Sequence, residues 1–375
     1  MRIAIFVMNT YVNDSRVIKQ AESLATRYLV DVFCLNDGRF PTQENPSQNV
    51  RLLRNVSYSQ HATPIVKKLR QGLAYLKYIT SSLSALRKYD VAHCNDLETL
   101  PIGVAGKLLN RKLKVVYDAH EYETETLWMQ NPLKKFLARA LEKSLIGFAD
   151  DVCVVSNGIA DEYVRLYGIA KPKLVLNTPK LSSMQKTNLF REKFNIPNNA
   201  TLFLYQGGLT NGRGIEILLE SFARLNSSDS VIVFMGYGPL EGKIRQFVKG
   251  YANIYFHEAV SPDALLPYTG SADFGISFTE DSCLNHTFCL PNKFFEYIMA
   301  GVPVICSNLV EMRQMISIHR CGLVADTNDA EGFLDCIKRA STTDNEELVL
   351  NAMRARQSLN WEAQEKVLFK MYQGL

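Results

Sequence analysis

Six short stretches, three in each half of the chain, carry the side chains able to bind an anion or move a proton. In "LPNKFFEYIMAGVPVI" (residues 290–305) a carboxylate, Glu296, sits inside an otherwise apolar run. Pro291 fits a helix start, where a missing N–H costs nothing, and Gly301 fits the left-handed residue just past a helix end. A helix start offers backbone N–H groups to a diphosphate, with Asn292 and Lys293 beside them. Glu296, one turn on, can accept both hydroxyls of a ribose. In "LFLYQGGLTNGRGIEILLESF" a strand expected to end at Tyr205 runs into a glycine-rich loop (Gly207, Gly208, Gly212, Gly214), and a helix begins near Ile215. Glycines let a ligand approach the backbone, and Arg213 adds a permanent charge with a fork suited to phosphate. A tight turn with a solvated Arg, and a Glu296 paired with a basic neighbour, are the plain structural alternatives.

A third stretch, "VIVFMGYGPLEGKIRQF", places Gly236 and Gly238 between a strand and a helix. Glu258 follows about 20 residues on, at the spacing of a ribose-binding acid. That pattern opens a rival reading, an NAD-dependent oxidoreductase. Gly242, however, stands one position too far along, and Pro239 occupies the turn. The other three lie in the first half. "YDAHEY" ends a strand with Asp118, His120 and Glu121, and "DVAHCNDLETLP" ends another with His93, Asn95 and Asp96. His93 reads as structural; His120 stands in a denser polar cluster. The first loop, "MNTYVNDSRVIKQAESLA", has no glycine-rich phosphate loop, so Asp14 and Arg16 read as groups facing an acceptor, with helix capping as the alternative for Asp14.

These groups need a scaffold that delivers them to one edge of a sheet. Strand-like and helical runs alternate through both halves: "RIAIFVM", "VDVFCL", "DVAHCN", "LKVVYDAH" and "DDVCVVS", then "TLFLYQGG", "SVIVFMGYG", "NIYFHEAV", "ADFGISF" and "VPVICS". The alternation pauses over a Pro-, Asn- and Ser-rich stretch at 177–200. This predicts two doubly wound α/β domains with parallel sheets, whose ligands bind off the carboxyl ends of the strands. One half holds phosphate-binding features and the other holds His and carboxylates. That division fits a two-substrate transferase with a cleft between the domains.

The bulk numbers narrow the class. The 375 residues are 47% apolar and 21% charged, with a net charge of +4, which is too small to argue for nucleic acid. Eight scattered cysteines without a C-x-x-C pair read as reduced thiols of a cytoplasmic protein. No apolar run is long enough to span a membrane, and the strand-like start does not read as a signal peptide. Two segments could still lie on a membrane. Residues 64–89 hold six basic residues and no acidic one. In "NPLKKFLARALEKSLIGFAD", Leu133, Phe136, Leu137, Ala140, Leu141 and Leu145 share one helical face, with Lys134, Lys135, Arg139 and Lys143 beside it. Each reads either as a peripheral contact with an anionic membrane or as the solvated face of a core helix.

Taken together, these motifs resemble the retaining glycosyltransferases of the GT-B fold, family 4 type. The carrying stretches are "YQGGLTNGRGIEILLESF", "FMGYGPLEGKIRQF", "ADFGISF" and "LPNKFFEYIMAGVPVI", with "NDSRVIKQAESLA", "DVAHCNDLETLP" and "VVYDAHEY" in the first half. The resemblance implies an N-terminal acceptor domain over 1–178, completed by a closing helix over 360–375, and a nucleotide-sugar domain over 179–359. It assigns Glu296 to the ribose, Arg213 to the diphosphate and His120 to the centre where sugar and acceptor meet. Gly236 and Tyr237, with the backbone from Glu258 to Val260, go to the nucleobase. Two departures stand out. Phe288 occupies the position of the family's first glutamate, and a longer loop precedes it, from which Glu280 or Asp281 could reach the sugar. Gly208 stands where the family often has Arg, which leaves Lys293 to supply a second charge.

The resemblance further implies transfer from a nucleotide-diphosphate sugar, UDP- rather than GDP-linked, to a glycan or lipid-linked glycan hydroxyl. Configuration is retained, without metal or cofactor, in cell-surface polysaccharide synthesis. The leaving phosphate helps take the acceptor's proton, and His120 serves as a hydrogen-bonding group rather than an essential base. A nucleotide-sugar epimerase of the same fold and a non-catalytic partner of a polysaccharide assembly complex stay open beside it, as does the NAD enzyme.

Overall fold

The computed structural model describes residues 1–57, 64–183 and 186–375, with the backbone alone for 55–57 and 64–71. By contact density the chain divides into two units, Met1–Leu176 with Gln364–Leu375, and Asn177–Ala363.

The first unit runs β1 (Arg2–Phe6), α1 (Ser15–Ala25), β2 (Leu29–Asn36), β3 (Gln43–Ser47), β4 (Val50–Ser57), α2 (Pro64–Leu86), β5 (Val91–Asn95), α3 (Leu100–Leu109), β6 (Lys114–Ala119), α4 (Pro132–Ile146), β7 (Asp151–Val154), α5 (Asn157–Tyr167) and β8 (Lys173–Leu174). Its sheet has the order β3-β4-β2-β1-β5-β6-β7-β8. All pairings are parallel except β3 with β4. β1 lies at the centre between β2 and β5, which explains its near-continuous apolar run. β3 carries Pro46, which a ladder tolerates at an edge. Phe6 stacks on Phe33 at 4.9 Å in the core. The basic segment read over 64–89 forms α2, and its Lys67, Lys68 and Arg70 side chains lie outside the described residues.

The second unit runs α6 (Leu189–Phe194), β9 (Thr201–Gly208), α7 (Ile215–Leu225), β10 (Ser230–Tyr237), α8 (Glu241–Gly250), β11 (Ile254–Glu258), α9 (Pro262–Thr269), β12 (Phe274–Ser277), α10 (Leu284–Thr287), α11 (Asn292–Met299), β13 (Val304–Cys306), α12 (Val310–His319), β14 (Gly322–Val324), α13 (Ala330–Thr342) and α14 (Glu346–Ala355). The last helix, α15, spans Trp361–Gln373. The all-parallel sheet has the order β11-β10-β9-β12-β13-β14. Aromatic packing fills its core: Phe203 meets Phe222 at 5.5 Å and Phe274 at 5.7 Å, and Phe278 meets Phe333 at 4.9 Å. Each such ring contributes about 1.5–3 kcal/mol when fully buried.

Both sheets therefore have a point where the strand order reverses, between β1 and β5 and between β9 and β12. Ligands of open parallel sheets bind beyond the carboxyl ends of the strands at that point. The loops after β1, β5 and β6, and after β9 and β12, hold most of the residues singled out in the sequence.

Candidate functional site

In the second unit the site is built on the end of β9. This strand continues through Gly207 and Gly208 rather than stopping at Tyr205, because both glycines still pair with β10, opposite Gly236 and Tyr237. Gly207 takes φ 112°, and a side chain there would approach Cε of Lys293 at 3.8 Å. Lys293 comes from the first turn of α11, whose start carries no side-chain cap, with Pro291 as the capping residue. Only 9% of Lys293 is exposed. Its Nζ sits 3.6 Å from the Tyr205 ring centroid and makes no hydrogen bond among the described residues. Burial, and then the charge of Arg213, hold the Lys293 ammonium well below its ordinary pKa. Arg213, half-buried, has no ion-pair partner among the described residues either. Two cations thus lie close together at a strand end with no carboxylate paired to them.

Glu296 is half-buried on the same helix, one turn along. Its Oε2 accepts a 2.6 Å hydrogen bond from Nε2 of Gln206, and Gln206 Oε1 accepts one of 2.8 Å from the Thr269 hydroxyl. Gln206 is 1% exposed, a polar residue in a buried strand. It aims the Glu296 carboxylate, which lines a cavity of 720 Å³ together with Pro179, Pro262, Leu266 and Met299. Asn292 is exposed, and its side-chain oxygen accepts from Asn177 at 2.9 Å.

The glycine-rich loop departs from the expected free helix start. The Gly214 N–H, at the cap of α7, donates to Glu280 Oε1 at 3.1 Å, and the Glu280 N–H donates back to the Gly212 carbonyl at 3.0 Å. Glu280 therefore ties the loop down from inside. Asp281 accepts from the Thr287 hydroxyl at 2.6 Å. Both acids considered for the sugar are committed to loop structure.

Tyr237, Glu258 and Val260 stand at the ends of β10 and β11. Tyr237 is 70% exposed. The Glu258 side chain, 83% exposed, lies 3.5 Å from Arg245. A side chain on Gly236 would strike the Gly207 carbonyl at 1.9 Å, and one on Gly238 the Leu209 carbonyl at 2.4 Å. Neighbouring backbone therefore demands these glycines, and no pyrophosphate is needed to explain them. The dinucleotide reading loses its main support.

In the first unit the hub is Asp118, fully buried at the end of β6. Arg16 grips it with both fork nitrogens, Nε at 2.9 Å and Nη2 at 2.6 Å, and the Gln20 amide donates to it as well. Arg16 also donates to the Val175 carbonyl and is 2% exposed. This corrects the reading of Arg16 as an acceptor-facing group: it is an internal counter-ion. Asp14 is likewise committed. Its carboxylate caps α1 through the Val17 N–H at 3.1 Å and accepts from Asn9 at 2.7 Å.

His120 stands over this hub. Its Nε2 is 2.9 Å from Asn95 Oδ1 and 3.5 Å from Asp118, and its Nδ1 is 3.5 Å from Asp96. Burial alone would lower its pKa, but the Asp96 and Asp118 carboxylates outweigh that and push it up to about 9. It is an imidazolium at neutral pH. Burial would raise Asp118, yet Arg16 and His120 hold it well below the usual carboxylate range. His93, fully buried, bonds the Tyr372 hydroxyl through Nδ1 at 2.6 Å; burial keeps it neutral and structural. Asp96 takes a left-handed φ of 63°, a strained backbone of the kind stored at functional sites. Beside it burial, and then the Asp96 charge, raise the Glu123 pKa well above the usual carboxylate range. Glu121 is exposed. Gln20, Glu123 and Gln206 are the site residues that sequence reasoning missed, with a buried-strand Gln in "LYQGG" as the one local signal; Glu280 was considered for the sugar and instead holds the loop.

Comparisons with known proteins agree in both halves. Residues 15–177 match Glycosyltransferase Family 4, and residues 200–343 match Glycosyl transferases group 1. The chain is 23% identical over 239 residues to the O-antigen biosynthesis glycosyltransferase WclY of Escherichia coli, a stretch covering 60% of this chain and 62% of that protein. Among solved structures it resembles sucrose-phosphate synthase from Thermosynechococcus elongatus, with a TM-score of 0.80 and 19% identity over 100% of this chain and 98% of that one. It also resembles Anabaena HepE in complex with UDP-glucose, with a TM-score of 0.74 and 14% identity over 100% of both chains. At these identities the structural likeness carries the fold, which is GT-B.

Proposed function

The chain is a family 4-like glycosyltransferase of GT-B fold, and from that premise we propose that it moves a sugar from a nucleotide-diphosphate donor to a hydroxyl of a glycan or lipid-linked glycan, with retention of configuration. The observation that carries this reading is the buried, unpartnered Lys293 ammonium beside unpaired Arg213, one helical turn from a carboxylate aimed by Gln206. Burying a charge without a counter-ion is costly, so a protein that does so is arranged for an anionic ligand. A diphosphate supplies that charge, and the ribose supplies the hydroxyls that Glu296 accepts. In this reading Tyr237 and the backbone from Glu258 to Val260 serve the base. UDP is the favoured nucleotide, supported by the UDP-glucose complex of the similar Anabaena protein. A role in cell-surface polysaccharide synthesis is supported by the name of the E. coli relative.

The chemistry follows from charge. As the sugar leaves, the diphosphate gains negative charge, and Lys293, Arg213 and the uncapped start of α11 stabilise it. Losing one such preorganised group costs about 3 kcal/mol, roughly a hundredfold in rate. His120 already carries its proton at neutral pH, so it stabilises negative charge and orients the acceptor rather than taking the proton. In a front-face transfer that retains configuration, that proton passes to the departing phosphate oxygen. Asp96 and Glu121 serve the acceptor side.

The test is thermal unfolding with UDP, GDP, ADP, CMP and NAD, for the protein and for Glu296→Ala. A bound nucleotide at 100 times its Kd adds about 2.7 kcal/mol of stability. Stabilisation by one nucleoside diphosphate, lost in Glu296→Ala, is the expected result. Stabilisation by NAD alone, or by none of the five, overturns the proposal.

A further inference from the structure

Helix α4 is turned inside out. A surface helix ordinarily buries its apolar stripe and shows its charges to water. Here the buried side chains are Glu142 and Ile146 alone. Glu142 accepts from three tyrosine hydroxyls, Tyr117 at 2.7 Å, Tyr163 at 2.7 Å and Tyr167 at 2.6 Å. A second acid, Glu125 (5% exposed), takes Lys135 at 2.5 Å and Arg139. Polar contacts therefore hold this helix to its unit and fix its rotation. The stripe of Leu133, Phe136, Leu137 and Leu141 then faces solvent, at 67%, 67%, 56% and 43% exposure.

The exposed apolar surface does not stop there. Trp128, just before the helix, is 88% exposed, and Phe148, just after it, 42%. Lys107 Nζ donates to the Phe148 carbonyl at 2.8 Å, joining α3 to this edge. On α3, which packs against α4, Leu108 and Leu109 are exposed; α2 packs against α3 and exposes Leu73 and Leu76. Lone exposed leucines need no explanation, but an apolar stripe along one helix, with further exposed apolar residues on the two helices packed beside it, marks an interaction surface.

Its charge identifies the partner. Among the described residues Lys134, Lys143, Arg111 and Lys112 are exposed and have no ion-pair partner. The only carboxylate of α4 is the buried Glu142. We propose that this face docks on an anionic lipid bilayer, with the α4 stripe and Trp128 in the headgroup region and the four cations on lipid phosphates. Protein partner surfaces are depleted in lysine at their apolar centre, whereas an apolar stripe flanked by lysines with an exposed tryptophan suits the bilayer interface. Among the described residues no helix is long and apolar enough to cross a membrane, so the contact is peripheral. The proposal rests on this surface alone, and its failure leaves the nucleotide reading untouched.

The test is flotation of the full chain with vesicles of phosphatidylcholine alone and of phosphatidylcholine mixed with phosphatidylglycerol. Binding to the mixed vesicles only, falling as salt is raised, is expected. Phe136→Ser/Leu137→Ser removes exposed side chains and leaves the fold intact, and should weaken binding at least about tenfold by its lost apolar area. Lys134→Glu/Lys143→Glu should weaken it about fivefold or more per lysine. Trp361 is buried and Trp128 exposed, so a blue shift of fluorescence on mixed vesicles, absent in Trp128→Ser, reports insertion at this face. Three outcomes overturn the proposal: no binding to mixed vesicles, binding indifferent to these substitutions, or self-association that Phe136→Ser/Leu137→Ser abolishes while vesicles go unbound.

Discussion

Replacing Lys293 by methionine should make the free protein more stable while weakening its hold on a nucleoside diphosphate. The Lys293 Nζ is buried, makes no hydrogen bond among the described residues and rests on the Tyr205 ring at 3.6 Å. Burying an ion costs several kcal/mol after relaxation, and the cation–π contact returns about 0.5–2 kcal/mol. Methionine is unbranched, of similar length and apolar, so it fills the space without a cavity. The net gain is about 1–3 kcal/mol, or a Tm higher by roughly 2–12 °C for a unit of this size. Because burial and Arg213 depress the pKa of Lys293, the unfolded chain binds the extra proton between that depressed value and the ordinary one. The protein therefore gains stability as pH rises through this window, and Lys293→Met abolishes the gain. On the ligand side a hydrogen bond to a charged group is worth about 1.5–3 kcal/mol, so UDP should bind about 10- to 150-fold more weakly. Uridine, which has no phosphate, should bind both proteins alike. Thermal unfolding from pH 7 to 11, with calorimetric titration of UDP and uridine, reads all of this. A lower Tm in Lys293→Met, or unchanged UDP affinity, would refute the idea that this charge is held open for an anion.

Two further outcomes follow from the same geometry. Gln206→Leu should weaken UDP binding about tenfold by freeing Glu296 from its 2.6 Å hydrogen bond, and should leave binding of 2′,3′-dideoxy-UDP unchanged; equal loss for both ligands would deny that Gln206 acts through the ribose. His120, with a folded-state pKa of about 9 against the ordinary 6.5, contributes stability that is full below about pH 6.5 and is lost as pH rises through 9. The difference corresponds to about 3 kcal/mol between these limits, measured as the change in unfolding free energy relative to His120→Gln; parallel pH curves for the two proteins would count against an imidazolium.

The parallel core was legible because central strands are buried on both faces and read as apolar runs: "RIAIF" and "TLFLY" need no partner to be recognised. Strands β3, β4 and β14 were not legible. β4 interleaves Arg51 and Arg54, which pair with Asp31 and Glu44, and those neighbours exist only after folding. Lys293 and Glu296 stood out as charges inside an apolar stretch. Arg16 and Asp118, 102 residues apart, each looked like an accessible charge, and only the adjacency of their sheet positions turns them into an internal pair. Gln206 and Glu280 act on partners 90 and 66 positions away, a distance that local spacing does not encode. The orientation of α4 was hidden for a different reason: an apolar stripe reads the same whichever way its helix is turned, and the choice was made by Glu142 and three tyrosines from β6 and α5.

The two units treat charge in opposite ways, and that contrast is the strongest functional signal in the molecule. In the first, Asp118 is answered by Arg16 and His120, and Glu125 by Lys135 and Arg139. A network so compensated holds His120 in one orientation, which suits the acceptor-orienting role proposed for it. In the second, Lys293 and Arg213 have no ion-pair partner among the described residues, while Glu280 bonds the Gly214 N–H and Glu296 the Gln206 amide. An ion pair with either acid would offset one of these charges. That neither does so leaves the positive charge for a ligand to complete, and the diphosphate of the proposed donor, set between the uncapped start of α11 and the end of β9, would meet that requirement.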